Sequence, residues 1–199
     1  MRKIGFKFAS AIIVLALISI ISLGLLANSM TAISQSSQDI MNNEVEKINL
    51  IHGIYEDYLD MYMNVYAHVN AKLLRTMDKR AEDILERRAQ MWESMEAYKA
   101  KITSEETQGV YNSLEGRLVS FDSYVDAIIE VSREGDKERA NNLIANNLGM
   151  LNNTIANSMN DLLEFSDAEL DAGKTYLQGK AESSYVLIAS VIVILLVTA

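Results

Sequence analysis

The feature that most constrains this chain is the absence of proline from all 199 residues. Proline breaks helix interiors and glycine weakens them, and the chain has only nine glycines. Apolar residues recur at helical spacing through nearly the whole sequence, and no segment shows the alternation that is typical of a strand. These patterns together predict an all-α protein built from long helices.

An uncharged segment near the N-terminus, residues 8–28, has the length of a membrane-spanning helix. About twenty helical residues cross the ~30 Å hydrocarbon layer of a bilayer. Arg2, Lys3 and Lys7 precede the segment, which favours a cytoplasmic N-terminus and an extracytoplasmic position for the residues after the segment. A cleaved signal peptide is the alternative, but the apolar stretch exceeds the ~7–15 residues of a usual signal core. We therefore interpret residues 1–28 as a cytoplasmic N-terminus and a first transmembrane helix.

A second apolar segment, residues 185–199, ends the sequence. Its fifteen uncharged residues would span ~22 Å as a helix, which is less than the ~30 Å of hydrocarbon. We expect this segment to be the start of a truncated second transmembrane helix and the sequence to be a fragment. Cytoplasmic signalling partners would then be reached only through a region that the sequence lacks.

Between these two segments, residues 29–184 are predicted to form an extracytoplasmic domain of four helices. Heptad spacing predicts a first helix that continues to about residue 76 and a second helix over residues 78–100. Residues 103–106, Thr-Ser-Glu-Glu, offer a capping box in which the Thr hydroxyl caps a third helix that ends near Arg133.

The turn before the fourth helix is also marked in the sequence. Gly135 suits a helix C-terminal cap and Asp136 suits the next N-cap, so the fourth helix is predicted to start near Lys137 and to run unbroken into the second apolar segment. The first and fourth helices, each about 48 residues outside the membrane, would each rise ~72 Å and can pair antiparallel. The predicted fold is therefore an all-α, antiparallel up-down-up-down four-helix bundle on a two-helix stalk, flanked by two transmembrane helices.

Two adjacent apolar stripes run along the first helix, which is more than the ~100° wide face that a single bundle needs. We predict that one stripe packs in the bundle core; its members are Met41, Val45, Ile48, His52, Tyr55, Leu59, Tyr62, Tyr66, Val69 and Leu73. We predict that the parallel stripe faces a second subunit in a homodimer; its members are Ile51, Ile54, Tyr58, Met61, Val65 and His68. Tyrosine suits both places because its ring buries apolar area while its hydroxyl finds a polar partner. The alternative for one or two of the tyrosines is that they line a ligand pocket.

Polar residues on or beside the predicted core seams form a candidate ligand site. Arg88 takes a seam position on the second helix, and a buried guanidinium needs an anionic partner. We predict a pocket for a small organic acid or amino acid, lined by Arg88, Arg117, Tyr124, Asn147 and Thr154. The alternative is that the arginines pair with acidic residues of the same chain or extend to solvent.

Composition and motifs argue against several other functions. The chain has no cysteine, and its two histidines have no neighbouring ligand residues in the sequence, so we expect no metal and no other cofactor. A net charge of -9 argues against a nucleic-acid partner. The sequence contains no supported nucleophile and no glycine-rich phosphate loop, so we do not expect an enzyme.

The stretch "SREGDKERANNLI", residues 132–144, carries a resemblance to a known family. In four-helix-bundle sensors a Gly-Asp turn, a pair of charged residues and Ala commonly open the last helix. Together with the two apolar segments and the intervening helices, the chain resembles the sensor module of bacterial methyl-accepting chemotaxis proteins. The adaptor-binding hairpin and the methylated glutamates of those receptors are absent from this sequence.

The resemblance implies a function as well as a fold. It implies a homodimer packed through the first helix, a sensor domain outside the bacterial inner membrane, and signal transmission by displacement of helices. Similar bundles also precede histidine kinases and diguanylate cyclases, so an enzyme-linked sensor is one alternative. A structural membrane coiled coil that binds no ligand is the other.

Overall fold

The structure, a computed structural model, describes the backbone of residues 2–198 and the side chains of residues 13 and 15–193. Its helices are α1 (Arg2–Asn70), α2 (Leu74–Lys99), α3 (Glu105–Arg133), α4 (Lys137–Leu143), a π-helical segment (Ile144–Leu148) and α5 (Gly149–Thr198). No strand occurs among these residues, which confirms the predicted all-α class. The side chains of Arg2, Lys3 and Lys7, on which the predicted orientation rests, lie outside the described residues, as do those of residues 194–199.

The chain divides into two compact units. One unit comprises Asn43–Glu169, and the other comprises Met1–Asn42 together with Leu170–Ala199. In the first unit, hereafter the bundle, each helix contacts two neighbours in the order α1, α2, α3, α5 and back to α1. Four polar contacts mark this ring: Asp57 with Arg87, Arg88 with Asp122, Arg117 with Ser158, and Asn152 with Tyr58. The up-down-up-down four-helix bundle is therefore confirmed.

The capping residues between α3 and α4 are those that the sequence predicted. Gly135 has a φ of 86°, a left-handed conformation that glycine adopts without steric cost, and the Asp136 side chain accepts a hydrogen bond from the Arg139 backbone N–H. The cap of α3 is Ser104, whose hydroxyl accepts from the Thr107 N–H, instead of the predicted Thr103. Ser104 has the extended backbone that a cap requires, with φ -110° and ψ 147°.

The first helix ends six residues earlier than predicted, at Asn70 instead of residue 76. The Asn70 side chain donates to the Tyr66 carbonyl, and Lys137 donates to the Ala71 carbonyl, so carbonyls left free at the helix end find partners. The chain therefore turns over residues 71–73, and α2 begins four residues before its predicted start.

Apolar residues at heptad spacing predict a core seam on α2, on α3 and on the last helix, and these seams form the core. Ten residues of these seams are fully buried: Ile84, Met91, Met95, Tyr98, Tyr111, Leu114, Leu118, Phe121, Val125 and Ile128. Leu148, Ile155 and Leu162 of the last helix are buried with them. Arg88 lies at the edge of the core, with 19% of its side chain exposed.

The assignment of the two stripes on α1 is wrong, because the structure exchanges them. The six residues predicted to contact a second subunit are completely buried inside the chain's own bundle: Ile51, Ile54, Tyr58, Met61, Val65 and His68. A side chain with no exposed surface cannot form a dimer interface. The stripe that was predicted to be core is mostly outside it: Leu59 is 37% and Tyr66 36% exposed, Tyr55 and Tyr62 are half-buried against the edge of the core, and only Val69 is buried. Heptad spacing fits both stripes equally well, so it cannot decide which one faces the neighbouring helices.

The last helix also departs from the prediction of one unbroken α-helix. Between α4 and α5 the backbone forms a π-helical segment, in which the Gly149 N–H donates to the Ile144 carbonyl five residues earlier. Such a segment accommodates one extra residue per turn and is frequent at functional sites. It keeps Ile144 and Leu148 both buried against the core.

In the second unit, α1 and α5 run side by side. The hydroxyls of Ser29 and Ser184 lie 2.5 Å apart. At Gly173 a Cβ atom would come within 2.7 Å of the Ile40 side chain, so glycine permits the close approach of the two helices there. Among the described residues, Leu15–Asn70 is the one helical stretch long and apolar enough to cross a membrane, with a mean hydropathy of 1.9 in its most apolar window.

Candidate functional site

Polar groups that connect neighbouring helices are the chemically distinctive part of the bundle. The groups considered are Arg88, Arg117 and two buried residues near opposite ends of the bundle part of α1, Lys47 and His68. These groups differ in how completely their charges are paired within the chain, and an unpaired charge is the one that can bind a charged ligand.

Arg88 is paired with acidic residues of the same chain. Its Nε lies 3.1 Å from an Asp122 carboxylate oxygen, and an Nη atom lies 2.7 Å from Asp126. The Trp92 indole N–H donates to the other Asp122 oxygen at 2.8 Å. Burial raises the pKa of Asp122, and the Trp92 hydrogen bond and the Arg88 charge oppose that rise. The charge of Arg88 is thus compensated within the protein, which leaves it little capacity for a ligand carboxylate.

Arg117 is in the opposite situation. Its guanidinium donates to the Thr154 backbone carbonyl at 2.7 Å and to the Ser158 hydroxyl, both on α5. Among the described residues, no carboxylate lies within the 4.0 Å of an ion pair with Arg117. Ser158 is buried and Arg117 is half-buried, so this positive charge is partly withdrawn from water without a negative partner. A guanidinium in that position is suited to a carboxylate ligand, which it can bind through two parallel hydrogen bonds.

The other three predicted pocket residues are placed as follows. Thr154 is beside Arg117, although its own hydroxyl bonds the Leu151 carbonyl and its side chain is exposed. Tyr124 is half-buried on α3 and packs against the core. Asn147 is half-buried within the π-helical segment. Of the five residues, the structure directly joins Arg117 with Thr154 and pairs Arg88 elsewhere.

Tyr58 makes a polar contact inside the core that the sequence did not reveal. Its hydroxyl donates to the Asn152 side-chain oxygen at 2.9 Å, and its ring packs on Phe121 with the ring centroids 4.8 Å apart. Burial raises the pKa of Tyr58 above its ordinary value, so the hydroxyl remains protonated and acts as a donor. This contact joins α1 to α5 four residues beyond the π-helical segment.

His68 is fully buried near the distal end of α1, and neither of its ring nitrogens has a hydrogen-bond partner. Burial lowers its pKa, and the positive charge of Arg133 lowers it further, against a smaller effect of Asp78. The imidazole is therefore neutral at pH 7, and protonation would place an unpaired charge inside the bundle.

Lys47 is a second buried titratable residue of α1, and it was not among the residues predicted from the sequence to matter. It bonds Glu169 of α5 and Glu44 of its own helix, and only 2% of the residue is exposed. A signal was present in the sequence: Lys47 lies four residues before Ile51 and so begins the stripe that turned out to be core. No group of three or more His, Asp and Glu side chains among the described residues is arranged to hold a metal ion.

Comparison with known proteins agrees with this architecture. A family model described as a four helix bundle sensory module for signal transduction matches residues 1–181. That family is a sensory signalling module and not a catalytic domain. No curated protein matches the chain.

Proposed function

Because the chain belongs to the family of four-helix-bundle sensory modules for signal transduction, we propose that it is the ligand-sensing transmembrane module of a bacterial chemoreceptor. In this proposal residues 29–184 lie outside the inner membrane, and segments 8–28 and 185–199 are embedded in it. A ligand bound to the bundle favours one packing of the first and last helices, and their displacement carries the signal across the membrane. Such control requires that the ligand bind the two packings with different affinity.

The observation that carries the proposal is the continuity of α1 and α5. Each helix runs without interruption from buried residues of the bundle into an apolar segment, α1 over Arg2–Asn70 and α5 over Gly149–Thr198. Hydrogen bonds along an α-helix make it stiff, so a shift at one end is transmitted to the other. A ligand that moves α5 relative to α1 inside the bundle therefore moves the helix that enters the membrane.

Arg117 is the residue we propose to bind the ligand, which we expect to be a small organic acid or an amino acid. Its neutral partners on α5, the Thr154 carbonyl and the Ser158 hydroxyl, can be exchanged for a carboxylate without breaking an ion pair. The exchange would change the contact between α3 and α5. Binding at this residue is thus linked directly to the helix that is proposed to move.

We also propose that the module is a homodimer, formed through the outer stripe of α1. Tyr62 and Tyr66 lie there with their hydroxyls 3.3 Å apart, and Met63 beside them is 66% exposed. Burial and the neighbouring Tyr66 raise the pKa of Tyr62 to about 12. Large aromatic side chains and Met are enriched at protein interfaces, where a tyrosine hydroxyl can still reach a polar partner.

The test is thermal unfolding of the full chain in detergent against a panel of amino acids and organic acids. Trp92 is the only tryptophan and lies in the bundle, so its fluorescence reports unfolding of that unit alone. We expect at least one acid to raise the midpoint in a concentration-dependent way. The shift should disappear in Arg117→Met and persist in Arg75→Met, which removes an exposed arginine near the distal end.

Two results would overturn the proposal. One is a panel in which no acid shifts the midpoint. The other is a shift of equal size in the parent, Arg117→Met and Arg75→Met, because binding would then not depend on Arg117. Loss of the shift in Arg88→Met instead would move the site to the α2–α3 contact.

A further inference from the structure

The buried lysine of α1 stands in a place where an apolar residue would be expected. Lys47 precedes Ile51 and Ile54 on the core stripe of α1, and its side chain is 3% exposed. Removing an ammonium group from water is costly unless paired acceptors surround it. The position therefore needs a reason beyond packing.

The partners of Lys47 connect the two helices that leave the bundle. Its Nζ lies 2.7 Å from an oxygen of Glu169 on α5 and 3.1 Å from Glu44 on α1. Burial works to lower the pKa of Lys47, but the hydrogen bonds and charges of Glu169 and Glu44 outweigh it and raise that pKa. The lysine is thus charged, and its bond to Glu169 fixes one position of α5 along α1.

Two buried hydroxyl groups lie at the same level as this ion pair. The Tyr98 hydroxyl and the Ser166 hydroxyl face each other, but neither makes a hydrogen bond of good geometry. Burial raises the pKa of Tyr98, and its contact with the Ser166 hydroxyl opposes that rise. Ser166 lies one turn before Glu169 on the same helix. A small movement of α5 would therefore change the contacts of these hydroxyls and the Lys47–Glu169 pair together.

We propose that Lys47 is a register pin: its bond to Glu169 holds α5 in one axial position against α1, and release of this bond permits the displaced position. The inference rests on the proposed function, since it assigns the residues that separate its two packings. Buried ion pairs contribute little net stability compared with apolar replacements, but they can specify one geometry among several. The pin should therefore affect the register of the helices more than the stability of the bundle.

The experiment measures the register directly. The chain has no cysteine, so spin labels can be placed at Asn49 on α1 and Asn160 on α5, both exposed. Asn160 is about two and a half turns from Glu169, so the distance between the labels has a large axial component. The full 199-residue chain in phospholipid nanodiscs is labelled and diluted with unlabelled chain, and the distance distribution is recorded by pulsed electron paramagnetic resonance.

Four variants separate the pin from general effects of charge. Lys47→Met removes the bond and Glu169→Gln removes its charge on the acceptor side, so both remove the ion pair, whereas Lys47→Arg keeps it. Lys101→Met is the control, because it removes an exposed ion pair in which Lys101 lies 2.8 Å from Glu46. We expect the first two to shift or broaden the distribution by about 1–2 Å, the usual size of helix shifts in switching proteins. Lys47→Arg and Lys101→Met should keep the parent distribution. The Trp92 unfolding midpoint should change less in Lys47→Met, which is an apolar replacement, than in Glu169→Gln, which leaves the buried ammonium with Glu44 as its one charged partner.

If the distance distributions of Lys47→Met and Glu169→Gln are both the same as that of the parent, the proposal that Lys47 fixes the axial position of α5 is wrong. If Lys47→Met fails to fold, Glu169→Gln decides alone, because it removes one charge from a residue that is 29% exposed. Equal shifts in Lys101→Met would also overturn it, since the effect would then be one of net charge. Failure of the proposed function is distinguishable, because that depends on a ligand-induced midpoint shift and these distances are measured without ligand.

Discussion

The exchange of the two stripes on α1 gives the sharpest prediction, through Tyr58 and Tyr66. Tyr58 is fully buried, packs on Phe121 and bonds Asn152, whereas Tyr66 is 36% exposed on the outer side of the same helix. Truncating a large buried aromatic residue to alanine costs about 3–5 kcal/mol. The lost hydroxyl bond, about 0.5–1.5 kcal/mol by itself, is part of that total. Tyr66→Ala should cost less than about 1 kcal/mol of unfolding free energy, as exposed substitutions do.

These energies translate into separable observations. For a chain of this size about 1 kcal/mol shifts the unfolding midpoint by about 2–4 °C, so Tyr58→Ala should lower it by about 6–20 °C. The loss should be the same at all protein concentrations, because the contact lies within one chain. Tyr66→Ala should leave the midpoint nearly unchanged and weaken self-association by about tenfold, or about 1.4 kcal/mol. Trp92 fluorescence gives the midpoint, and analytical ultracentrifugation gives the association constant.

The reverse pattern would refute the placement of the stripes. If Tyr58→Ala weakened dimerisation without lowering the midpoint, its ring would face a partner and not Phe121. If Tyr66→Ala lowered the midpoint as much as Tyr58→Ala, the outer stripe would be part of the core.

Three further predictions test other local features. Burial depresses the pKa of His68 below its unfolded value of 6.5, so the stability that neutral His68 contributes is complete above pH 6.5. As the pH falls below 6.5, the free energy of unfolding should decrease by up to about 1.4 kcal/mol per pH unit. Urea unfolding between pH 7.5 and 5 should show this slope, and His68→Gln should reduce the slope. Gly135→Ala should destabilise by about 1–2 kcal/mol because φ is 86°, whereas Gly116→Ala, in the exposed middle of α3, should stabilise by up to about 1 kcal/mol; both are read from urea midpoints. Deleting Asn146 should convert the π-helical segment to α-helix with little change in the unfolding midpoint. Deleting Asn153, in the regular α-helix, should unfold the bundle because it rotates the core residues that follow away from the core. Equal decreases of the midpoint in the two deletions would contradict this account.

The sequence was sufficient for the features that depend on neighbouring residues. The turn at Gly135 and Asp136 was predicted correctly because a left-handed glycine and an aspartate cap act within a few residues. The seams of α2 and α3 were predicted because one apolar stripe stands out on each helix. The early end of α1 at Asn70 was missed because the turn that follows is held partly by Lys137, which is distant in sequence and bonds the Ala71 carbonyl.

The incorrect predictions arose where neighbouring residues alone fit two arrangements equally well. On α1 both stripes follow heptad spacing, and only the helices packed against them decide which is inside. Lys47 favours the incorrect assignment, since a lysine at the start of a stripe predicts that the stripe is exposed. Its acceptance in the core depends on Glu169, which is 122 residues away. The π-helical segment was missed for a related reason, because one added residue leaves Ile144 and Leu148 both suitable for the core.

The same distinction bears on the two packings that the proposed function requires. Apolar contacts are non-directional, so a core of leucine, isoleucine and methionine tolerates a shift of about 1 Å at small cost. Hydrogen bonds weaken steeply when distance and angle change, so polar contacts give a helix discrete positions. In this bundle the polar contacts that join α5 to α1 and α3 lie at three places: Lys47 with Glu169, Tyr58 with Asn152, and Arg117 with the Thr154 carbonyl and Ser158. The apolar pattern therefore specifies that the helices associate, and these three contacts specify the axial position of each helix. In the proposed mechanism, a ligand that competes for the contact at Arg117 changes the position that the other two must accommodate.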